Sequence, residues 1–281
     1  MGNYWLMAFF ALAFWGATFN NSWEASLRVM TFNLRYANPA DGPNRWEARK
    51  DFVIESLERY APAVIGIQEG LGGQIEDLIS GLPQYQAFGR DRSGQGSDEY
   101  SSILYDKSRL KLIEGDTFWL SETPEEAGSQ SWDSSLPRIA TWALFEGVHG
   151  RRFLVLNTHF DHRGQLARVR SAELVRSKLE EIHPEAPRIV LGDFNALPES
   201  DPYKALVGNN NLSDAWTIAR ERRGPEFTFH GFTGQGDVNL RIDWILVGSD
   251  IQVKSITSID DHDNGLYLSD HFPVMADLEI R

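Results

Sequence analysis

The chain has no cysteine among its 281 residues. Disulfide bonds, thiol catalysis and lipid attachment at a cysteine are therefore excluded. It also lacks any run of basic residues, and its formal net charge is −13. Both features argue against a protein that grips nucleic acid along its backbone, because that binding needs clustered lysine and arginine. A local basic patch or a bound metal could still hold a nucleic-acid substrate, and clustered acidic ligands would add to the negative charge.

Internal repeats, low-complexity segments and charge runs are also missing, so nothing in the composition divides the chain. A hydrophobic fraction of 42% and nine tryptophans indicate a substantial core. A length of 281 residues fits one large domain. We interpret residues 26–281 as that domain.

The N-terminus is separate, because residues 5–19 are uncharged and mostly apolar. A stretch of this length is typical of a secretory signal and short for a membrane span. Small residues follow at Ala25 and Ser26, although no lysine or arginine precedes the stretch. We predict that residues 1–25 are a signal peptide and that the protein is exported, to the periplasm or outside the cell. After cleavage we expect no stable membrane span. The alternatives are an uncleaved membrane anchor and a misassigned start that extends into a buried helix.

Polar side chains follow an apolar run in Arg188–Ala196. Ile189 to Leu191 predict a buried strand, and Gly192 leads into Asp193 and Asn195. Residues two apart in an extended chain point the same way, so both side chains can face one cleft. A carboxylate and a carboxamide there could hold a water or a metal and stabilise developing negative charge. An ordinary turn is the alternative.

Two earlier strands end in the same manner. Leu27–Leu34 places Asn33 at its end, and Ala63–Glu69 ends in a carboxylate. Ligands in α/β sheets gather outside strand ends, and Mg²⁺ takes oxygen ligands from one or two carboxylates. Glu69 could equally be an acid in the first turn of a helix, and Asn33 a turn residue.

The densest group of polar residues ends the strand predicted from Arg152, which finishes in His159, Asp161 and His162. Later, Asp243 lies within a largely apolar strand predicted over Leu240–Val247. A buried carboxylate needs a partner. His271, which follows Asp270 just before the last strand, is the obvious one, as in carboxylate–imidazole pairs that set a tautomer.

Apolar periodicity predicts helices at Trp46–Tyr60, Gln74–Ser80, Gln165–Ile182 and Tyr203–Val207. Shorter apolar runs predict further strands at Ser101–Tyr105, Leu110–Glu114, Thr117–Ser121, Ile139–Glu146 and Phe227–Phe232. A loop between Phe88 and Tyr100 carries Arg90 and Arg92, and a long polar loop covers Pro124 to Ser135. Arginine suits bidentate contact with phosphate, although a loop arginine is more often solvated. His230 could line a cleft or be structural, and a structural role is the simpler reading.

In chain order the motifs TFN, QE, NTH, GDFN, RIDWI and SDHFPV end in or surround these polar residues. Together they resemble the endonuclease/exonuclease/phosphatase superfamily, which includes DNase I-like nucleases, abasic-site endonucleases, deadenylases, inositol-polyphosphate 5-phosphatases and neutral sphingomyelinases. The resemblance covers Leu27 to Arg281. The segments TFWLSETP, PRIATWA and THFDH are similar to those of its extracytoplasmic bacterial and fungal branch.

The resemblance implies an α/β fold, a four-layer sandwich of two mixed β-sheets packed face to face with helices outside. It implies Mg²⁺ or Mn²⁺ on Glu69, with Asn33 and Asp270 nearby as further ligands. It also implies the catalytic residues. Asp193 would orient or deprotonate the attacking water, and Asn195 and His159 would hydrogen-bond the phosphate oxygens. His271, held by Asp243, would contact the phosphate or act as a general acid or base. As substrate-binding residues we predict Arg90, Arg138, Asp161 and His162, with a second metal site as the alternative role of Asp161 and His162.

The predicted function is a divalent-metal-dependent phosphoesterase that uses an activated water. Its partner is a phosphate-ester substrate, nucleic acid being possible, and we expect a monomer. A nuclease is the first alternative. A sphingomyelinase-like enzyme would need an exposed apolar hairpin, for which Phe118–Leu120 is the nearest candidate, although it fits a strand better. A catalytically silent binding module is hard to reconcile with a complete set of motifs.

Overall fold

The computed structural model describes residues 2, 26–148, 150–207, 212–237 and 240–281, so the predicted signal peptide lies, apart from residue 2, outside the described part. The strands are β1 (Ser26–Asn33), β2 (Val64–Gln68), β3 (Tyr85–Phe88), β4 (Ile103–Asp106), β5 (Leu110–Trp119), β6 (Ile139–Gly147), β7 (Arg152–His159), β8 (Arg188–Asp193), β9 (Leu212–Asp214), β10 (Glu221–Arg223), β11 (Asp243–Gly248), β12 (Ile251–Ser258), β13 (His262–Asp263), β14 (Leu266–Tyr267) and β15 (Val274–Ile280). The helices are α1 (Trp46–Tyr60), α2 (Gly72–Gly81), α3 (Gln165–Glu181), α4 (Asp201–Val207) and α5 (Ala215–Ile218), with a 3-10 helix at Pro39–Asn44. No helix in these ranges is long and apolar enough to cross a membrane.

Two mixed sheets and one small hairpin organise the strands. Sheet 1 has the order β10-β12-β15-β1-β2-β4-β3, and sheet 2 has the order β5-β6-β7-β8-β11-β9. Parallel pairs (β1 with β2, β10 with β12, and β7 with β8) lie among antiparallel ones, so both sheets are mixed. The hairpin pairs β13 with β14.

The sheets pack face to face through a core of alternating strand residues. Val29 of β1 and Val64 of β2 meet Val155 of β7 and Leu191 of β8 in one apolar cluster, and all four are fully buried. Alternation sends the neighbouring residues of each strand to the opposite face. Met30, next to Val29, accordingly belongs to a different cluster on the outside of sheet 1.

Helices cover the outer faces. Val53 and Leu57 of α1 pack with Met30 outside sheet 1, and Val175 and Leu179 of α3 pack outside sheet 2. Each buried aliphatic side chain contributes roughly 1.5–3 kcal/mol relative to its exposed state, so the two helical layers are held mainly by apolar burial. The predicted four-layer α/β sandwich is confirmed.

Most predicted helices agree with the structure, while several strand bounds change. The strands predicted at Leu110–Glu114 and Thr117–Ser121 are one strand, β5, with a bulge between Leu112 and Glu114. The strand predicted over Phe227–Phe232 is wrong, because φ is 56° at Gly231 and 63° at Phe232 and positive φ ends an extended chain.

Candidate active site

The strand register gathers predicted site residues at one end of both sheets. In sheet 2, His159 lies opposite Asp193 in the β7–β8 pair, and Asp193 lies opposite Asp243 in the β8–β11 pair. From sheet 1, Asn33 at the end of β1 donates its Nδ2 to Asp193 Oδ2 at 2.9 Å. The strand ends therefore meet around Asp193, which is 1% exposed.

A buried amide network ties the sheets together beneath this site. Asn157 of β7 accepts a hydrogen bond from Gln68 Nε2 at 2.6 Å. Its own Nδ2 donates to the carbonyl oxygens of Ile67 and Ser102 at 2.8 and 2.9 Å. Gly66 leaves the necessary space, since a Cβ there would lie 2.5 Å from Asn157 Oδ1. Because Asn157 is on sheet 2 and its partners are on or beside sheet 1, the network fixes the spacing of the sheets next to the site.

Three polar residues at the site have left-handed backbone conformations, and one of them is Arg35, after β1, with φ of 58°. Glu69, after β2, has φ of 60°, and Asn195, after β8, has φ of 46°. Residues with a Cβ disfavour this region. The prediction that strand alternation directs Asn195 is therefore wrong. A turn brings it back, and its backbone N–H donates to Asp193 Oδ1 at 2.9 Å.

Asp193 is held in an environment that favours its protonated form. Burial, followed by the negative charge of Asp243, raises its pKa well above the usual range of a carboxylic acid. The hydrogen bonds from Asn195 and Asn33 oppose that rise. A carboxylate with a raised pKa is a better proton acceptor near neutral pH than an ordinary aspartate.

His271 sits between two carboxylates. Its Nδ1 lies 2.9 Å from Asp243 Oδ2, and its Nε2 lies 3.9 Å from Asp193 Oδ2. Burial works against the charged imidazolium, but the charge and hydrogen bond of Asp243, with smaller contributions from Asp193 and Asp270, raise the pKa of His271 well above its ordinary value. The charged form of His271 is therefore favoured, and the predicted pair with Asp243 is present in the structure.

His159 is the neutral imidazole of the site. Burial, followed by the charge of Arg138, lowers its pKa well below the ordinary value. Asn195 Nδ2 lies 3.0 Å from His159 Nε2 and 3.0 Å from the carbonyl oxygen of Phe160, so the amide donates to both. His159 Nε2 is then an acceptor. These two predicted phosphate contacts bind each other in the structure, and contact with a phosphate requires the Asn195 side chain to turn.

An acidic group lies beside Asp193. Asn33 Nδ2 donates to Glu69 Oε1 at 3.1 Å, and the backbone N–H of Tyr36 donates to Glu69 Oε2 at 3.2 Å. The guanidinium of Arg35 lies 3.9 Å from Glu69 Oε2 and 3.8 Å from Asp270 Oδ2. The two carboxylates therefore converge on one positive charge at the same side of the cleft.

These side chains line a cleft of about 930 Å³ at the end of the sandwich. Glu69, His159, Asp193, Asp270 and His271 all contribute to its surface. Residues that the predictions omitted, or did not place in the cleft, also line it. They are Arg35, Tyr36, Leu71, Arg92, Asp98, Glu99, Leu136, Phe229 and Ile242.

Known proteins resemble this chain in sequence and in fold. Residues 30–271 match the Endonuclease/Exonuclease/phosphatase family. The chain belongs to this family. An endonuclease/exonuclease/phosphatase from Bacteroides vulgatus is 39% identical with a TM-score of 0.88, over 92% of this chain and 100% of that one. A mannosyl-6-phosphatase from Bacteroides thetaiotaomicron is 34% identical with a TM-score of 0.85, over 90% of this chain and 99% of that one.

Curated sequences extend the comparison to animals. Nocturnin from Rattus norvegicus is 24% identical over 249 residues, which are 78% of this chain and 55% of the relative. The chain spans about half the length of the first curated relatives it matches. Endonucleases, exonucleases and phosphatases all hydrolyse phosphate esters, so membership confirms the predicted family and the predicted class of hydrolase.

Enzymes of the endonuclease/exonuclease/phosphatase family depend on a metal, and the cleft has a donor set that fits one. Glu69 and Asp270 offer carboxylate oxygens, which hard divalent cations prefer. Burial raises the pKa of Asp270, and the charge of Glu69 adds to that rise, while the charges of His271 and Arg35 oppose it.

A second acidic group also comes close enough for a metal. Ligand atoms of Asp193, Asp243 and His271 all lie within 4.8 Å of one another, and all three residues are buried. Here, however, imidazole Nδ1 lies within hydrogen-bond distance of Asp243 Oδ2, at 2.9 Å, so these two side chains are already paired with each other. We interpret this group as a hydrogen-bonded charge relay between side chains, and the Glu69 side as the metal site.

The four predicted substrate-binding residues have different surroundings. Arg138 and His162 line the cleft and contact each other, with Arg138 Nη2 3.0 Å from His162 Nδ1. Arg90 is not among the cleft-lining residues, because its Nη2 binds Asp116 at 2.9 Å and its guanidinium stacks on a tryptophan. Asp161 is 1% exposed, and its carboxylate accepts hydrogen bonds from the backbone N–H groups of Arg163 and Gly164, before α3, and of Ser135, before β6.

No sequence pattern points to the cleft residues that the predictions omitted. Arg35, Asp98 and Glu99 lie in polar loops, where charged side chains are ordinarily solvated. Their importance depends on contacts such as Arg35 with Asp270, which are 235 positions apart in the chain. His230 is outside the cleft lining and stacks on Phe272 with ring centroids 4.0 Å apart, in line with a structural role.

Proposed function

We propose that this chain is a Mg²⁺- or Mn²⁺-dependent phosphoesterase that hydrolyses small phosphate monoesters, sugar phosphates above all. One observation carries the proposal. A buried carboxylate with a raised pKa, Asp193, lies between a cationic imidazole and a neutral one, beside the carboxylates of Glu69 and Asp270. That combination supplies a proton acceptor, positive charge for phosphoryl oxygens and oxygen ligands for a metal.

Asp193 would orient the attacking water and take its proton. Its two oxygens already accept hydrogen bonds from Asn33 and from the backbone of Asn195, so its orientation is fixed before substrate binds. A positioned base of this kind contributes roughly 10²–10⁴-fold to the rate. The buried position keeps competing solvent away from the same oxygens.

His271 would stabilise negative charge as it builds on the phosphoryl group, or donate a proton to the leaving oxygen. Asp243 keeps the imidazole charged and in one orientation. His159 and Asn195 would contribute hydrogen bonds to the phosphate once the Asn195 amide leaves its bond with His159.

Glu69 would hold the metal, with Asn33 and Asp270 as further or water-mediated ligands. When bound, the metal would neutralise charge on the phosphoryl and leaving oxygens. Arg35, which lies between Glu69 and Asp270, would limit the repulsion of these carboxylates before the metal arrives.

Two observations favour a small monoester. The mannosyl-6-phosphatase of Bacteroides thetaiotaomicron matches nearly the whole chain. The cleft also carries Glu69, Asp98, Glu99 and Asp270 in a protein of net charge −13, which opposes a polyanion running through it.

A nuclease is the second candidate, supported by the likeness to nocturnin and by Phe229, an aromatic side chain in the cleft that is 36% exposed. Stacking of a base on such a ring is worth about 1–3 kcal/mol. A sphingomyelinase-like lipid enzyme has less support, because Phe118, Trp119 and Leu120 are at most 3% exposed and form no apolar hairpin for a membrane.

The test is turnover of phenyl phosphate, hexose 6-phosphates, bis(4-nitrophenyl) phosphate, single-stranded DNA and RNA with Mg²⁺ or Mn²⁺. We expect monoesterase activity that EDTA abolishes and added metal restores. Asp193→Asn and Glu69→Gln should each lower kcat at least 100-fold, while Glu58→Gln on the exposed face of α1 leaves it unchanged. Full activity of both cleft variants would refute the assignment, and turnover of nucleic acid alone would select the nuclease.

We also propose that residues 1–25 direct export and are removed, and that the mature protein is a monomer. The supporting observation is the apolar, uncharged stretch at residues 5–19. Expression in a bacterial host, fractionation and N-terminal sequencing test the first part. An intact N-terminus in the membrane fraction would favour an uncleaved anchor instead. Light scattering after gel filtration tests the second.

A further inference from the structure

We propose that Asp98 and Glu99, both held by Arg92, form the subsite that binds hydroxyl groups of the leaving alcohol and so selects a polyhydroxylated substrate. This inference rests on the proposed phosphoesterase function. It concerns the wall of the cleft formed by the loop before β4, which the catalytic arrangement around Asp193 does not use.

One guanidinium orients both carboxylates. Arg92 Nε lies 2.9 Å from Asp98 Oδ1, and Arg92 Nη1 lies 2.9 Å from Glu99 Oε2. The side chains of Arg92 and Glu99 are only 11% and 16% exposed, so the pairing is shielded from water, whereas Asp98 is 35% exposed toward the cleft. Within the part of the chain that the structure describes, Asp98 Oδ2 and Glu99 Oε1 accept no hydrogen bond. Each carboxylate therefore presents one open acceptor.

Hydrogen bonds order the loop that carries Asp98 and Glu99, here called the acid pair. Asp91 is 2% exposed, and its carboxylate accepts hydrogen bonds from the backbone N–H groups of Gly96 and Asp98 at 2.8 and 3.1 Å. The backbone N–H of Arg92 donates to the carbonyl of Glu99 at 2.9 Å. An ordered loop holds its acceptors in place before the ligand binds, which reduces the entropy lost on binding.

The acid pair is also placed next to the metal side of the cleft. The backbone N–H of Tyr100 donates to the carbonyl of Gly70 at 2.9 Å, and these two residues form an antiparallel bridge. Glu69 and Glu99 flank this bridge on opposite sides, both line the cleft, and the charge of Glu69 acts on Glu99. A phosphate near Glu69 would therefore carry its alcohol portion toward the acid pair.

The chemistry of this wall suits neutral hydroxyl donors. Carboxylate acceptors repel a second phosphate, and the nearby negative charges of Glu69, Glu99 and Asp98 reinforce that repulsion. Arg138, which is 5% exposed, lines the same cleft and adds a positive charge, with its Nε paired to Asp161 Oδ2 at 3.5 Å. An array of acceptors and donors on one wall matches the alternating O–H groups of a sugar.

An apolar part of the cleft surface further restricts the class of ligand that fits. Phe229 lines the cleft with an exposed ring face, and Leu136 and Ile242 lie there too. Its ring is edge-on to His271, with centroids 5.0 Å apart. A ligand with one apolar face and a hydroxylated edge would satisfy both walls.

The test separates binding of the alcohol portion from binding of phosphate. Calorimetry measures binding of mannose, glucose and galactose 6-phosphates, AMP and inorganic phosphate to the Mg²⁺-loaded Asp193→Asn protein, which does not consume them. Asp98→Asn and Glu99→Gln are each added to this background, and Glu58→Gln is the matched control on α1. Burial chiefly raises the pKa of Glu99 to about 7, so the assay is run at pH 8, where most molecules carry its charge.

We expect one hexose phosphate at least to bind more than 10-fold tighter than inorganic phosphate. Each acid-pair substitution should weaken that complex about 10-fold or more while phosphate affinity stays within about twofold, since a hydrogen bond to a charged group is worth that much. The inference is wrong if hexose phosphates bind no better than phosphate, or if the substitutions weaken both ligands equally. It is also wrong if AMP is the one ligand that binds tighter than inorganic phosphate and the substitutions leave the affinity for AMP unchanged. Failure of the proposed function would be seen separately, as absence of metal-dependent turnover of phenyl phosphate by the unsubstituted protein.

Discussion

Replacement of His230 by phenylalanine should make the protein less sensitive to acid. The imidazole is 4% exposed, stacks on Phe272 at 4.0 Å and 22°, and meets Tyr267 edge-on at 4.9 Å. Its Nδ1 accepts a hydrogen bond from the backbone N–H of Gly234 at 3.2 Å, and its Nε2 is buried without a partner in the described ranges. These surroundings favour the neutral form of the His230 imidazole.

Burial, followed by the positive charge of His271, lowers the pKa of His230 to about 4. In the unfolded chain a histidine has a pKa of about 6.5. Between these values the unfolded state binds a proton that the folded state does not, so the free energy of unfolding falls as the pH falls below about 6.5. Linkage gives a loss of about 2 kcal/mol at pH 5 relative to pH 8 for these two values.

Urea unfolding of the wild type and of His230→Phe, at pH 8 and pH 5 with EDTA, measures this effect. At pH 8 the variant should be less stable by about 1 kcal/mol, because the hydrogen bond from Gly234 is lost. At pH 5 the difference should shift in favour of the variant by about 2 kcal/mol. The exposed His262, changed to phenylalanine, is the control and should give a constant difference. A constant difference for His230→Phe as well would refute the reasoning.

Three further predictions concern the network beneath the site, the charge relay and the metal. Asn157→Ala should lower the free energy of unfolding by about 3 kcal/mol or more, because Gln68 and two carbonyls lose buried partners; a loss under 1 kcal/mol in urea unfolding would contradict this. Asp243→Asn should lower kcat for phenyl phosphate by on the order of 10²–10⁴-fold, since His271 loses the carboxylate that keeps it charged, and near-normal kcat would exclude that role. Mg²⁺ should raise the Tm of the wild type but not that of Glu69→Gln, because only a bound ligand stabilises the folded state; equal shifts by calorimetry would remove Glu69 from the metal site.

The layers of the fold could be predicted because most of the longer strands and helices have a clear apolar pattern. α1 begins at Trp46 and ends at Tyr60 as predicted, since its apolar residues recur at helical spacing and left-handed Ala61 ends it. β12 was not predicted, because its alternation of buried and polar residues is interrupted by a register shift between Val253 and Ser255. A bulge that shifts the pattern by one residue conceals a strand from periodicity.

The site could be predicted only where a polar residue ends an apolar strand. Asp193 and His159 are such residues, and the parallel pairing of β7 and β8 brings them together. Arg92 and Glu99 could not be found in this way, because a loop fixed by side-chain hydrogen bonds has no periodic pattern. Arg90 was assigned to the substrate on residue type alone, and the structure pairs it with Asp116 instead.

The left-handed conformations of Glu69 and Asn195 have a consequence for how the sequence would evolve if catalytic activity were no longer selected. Each costs on the order of 1–3 kcal/mol, whereas glycine adopts the same backbone freely. Replacement of Glu69 by glycine should therefore give a protein that is catalytically dead, with relief of this strain and of the repulsion from Asp270. A lineage that no longer used the substrate would gain stability by losing the residue that binds the metal. Glutamate with φ of 60° at position 69 is thus expected only where its carboxylate is needed.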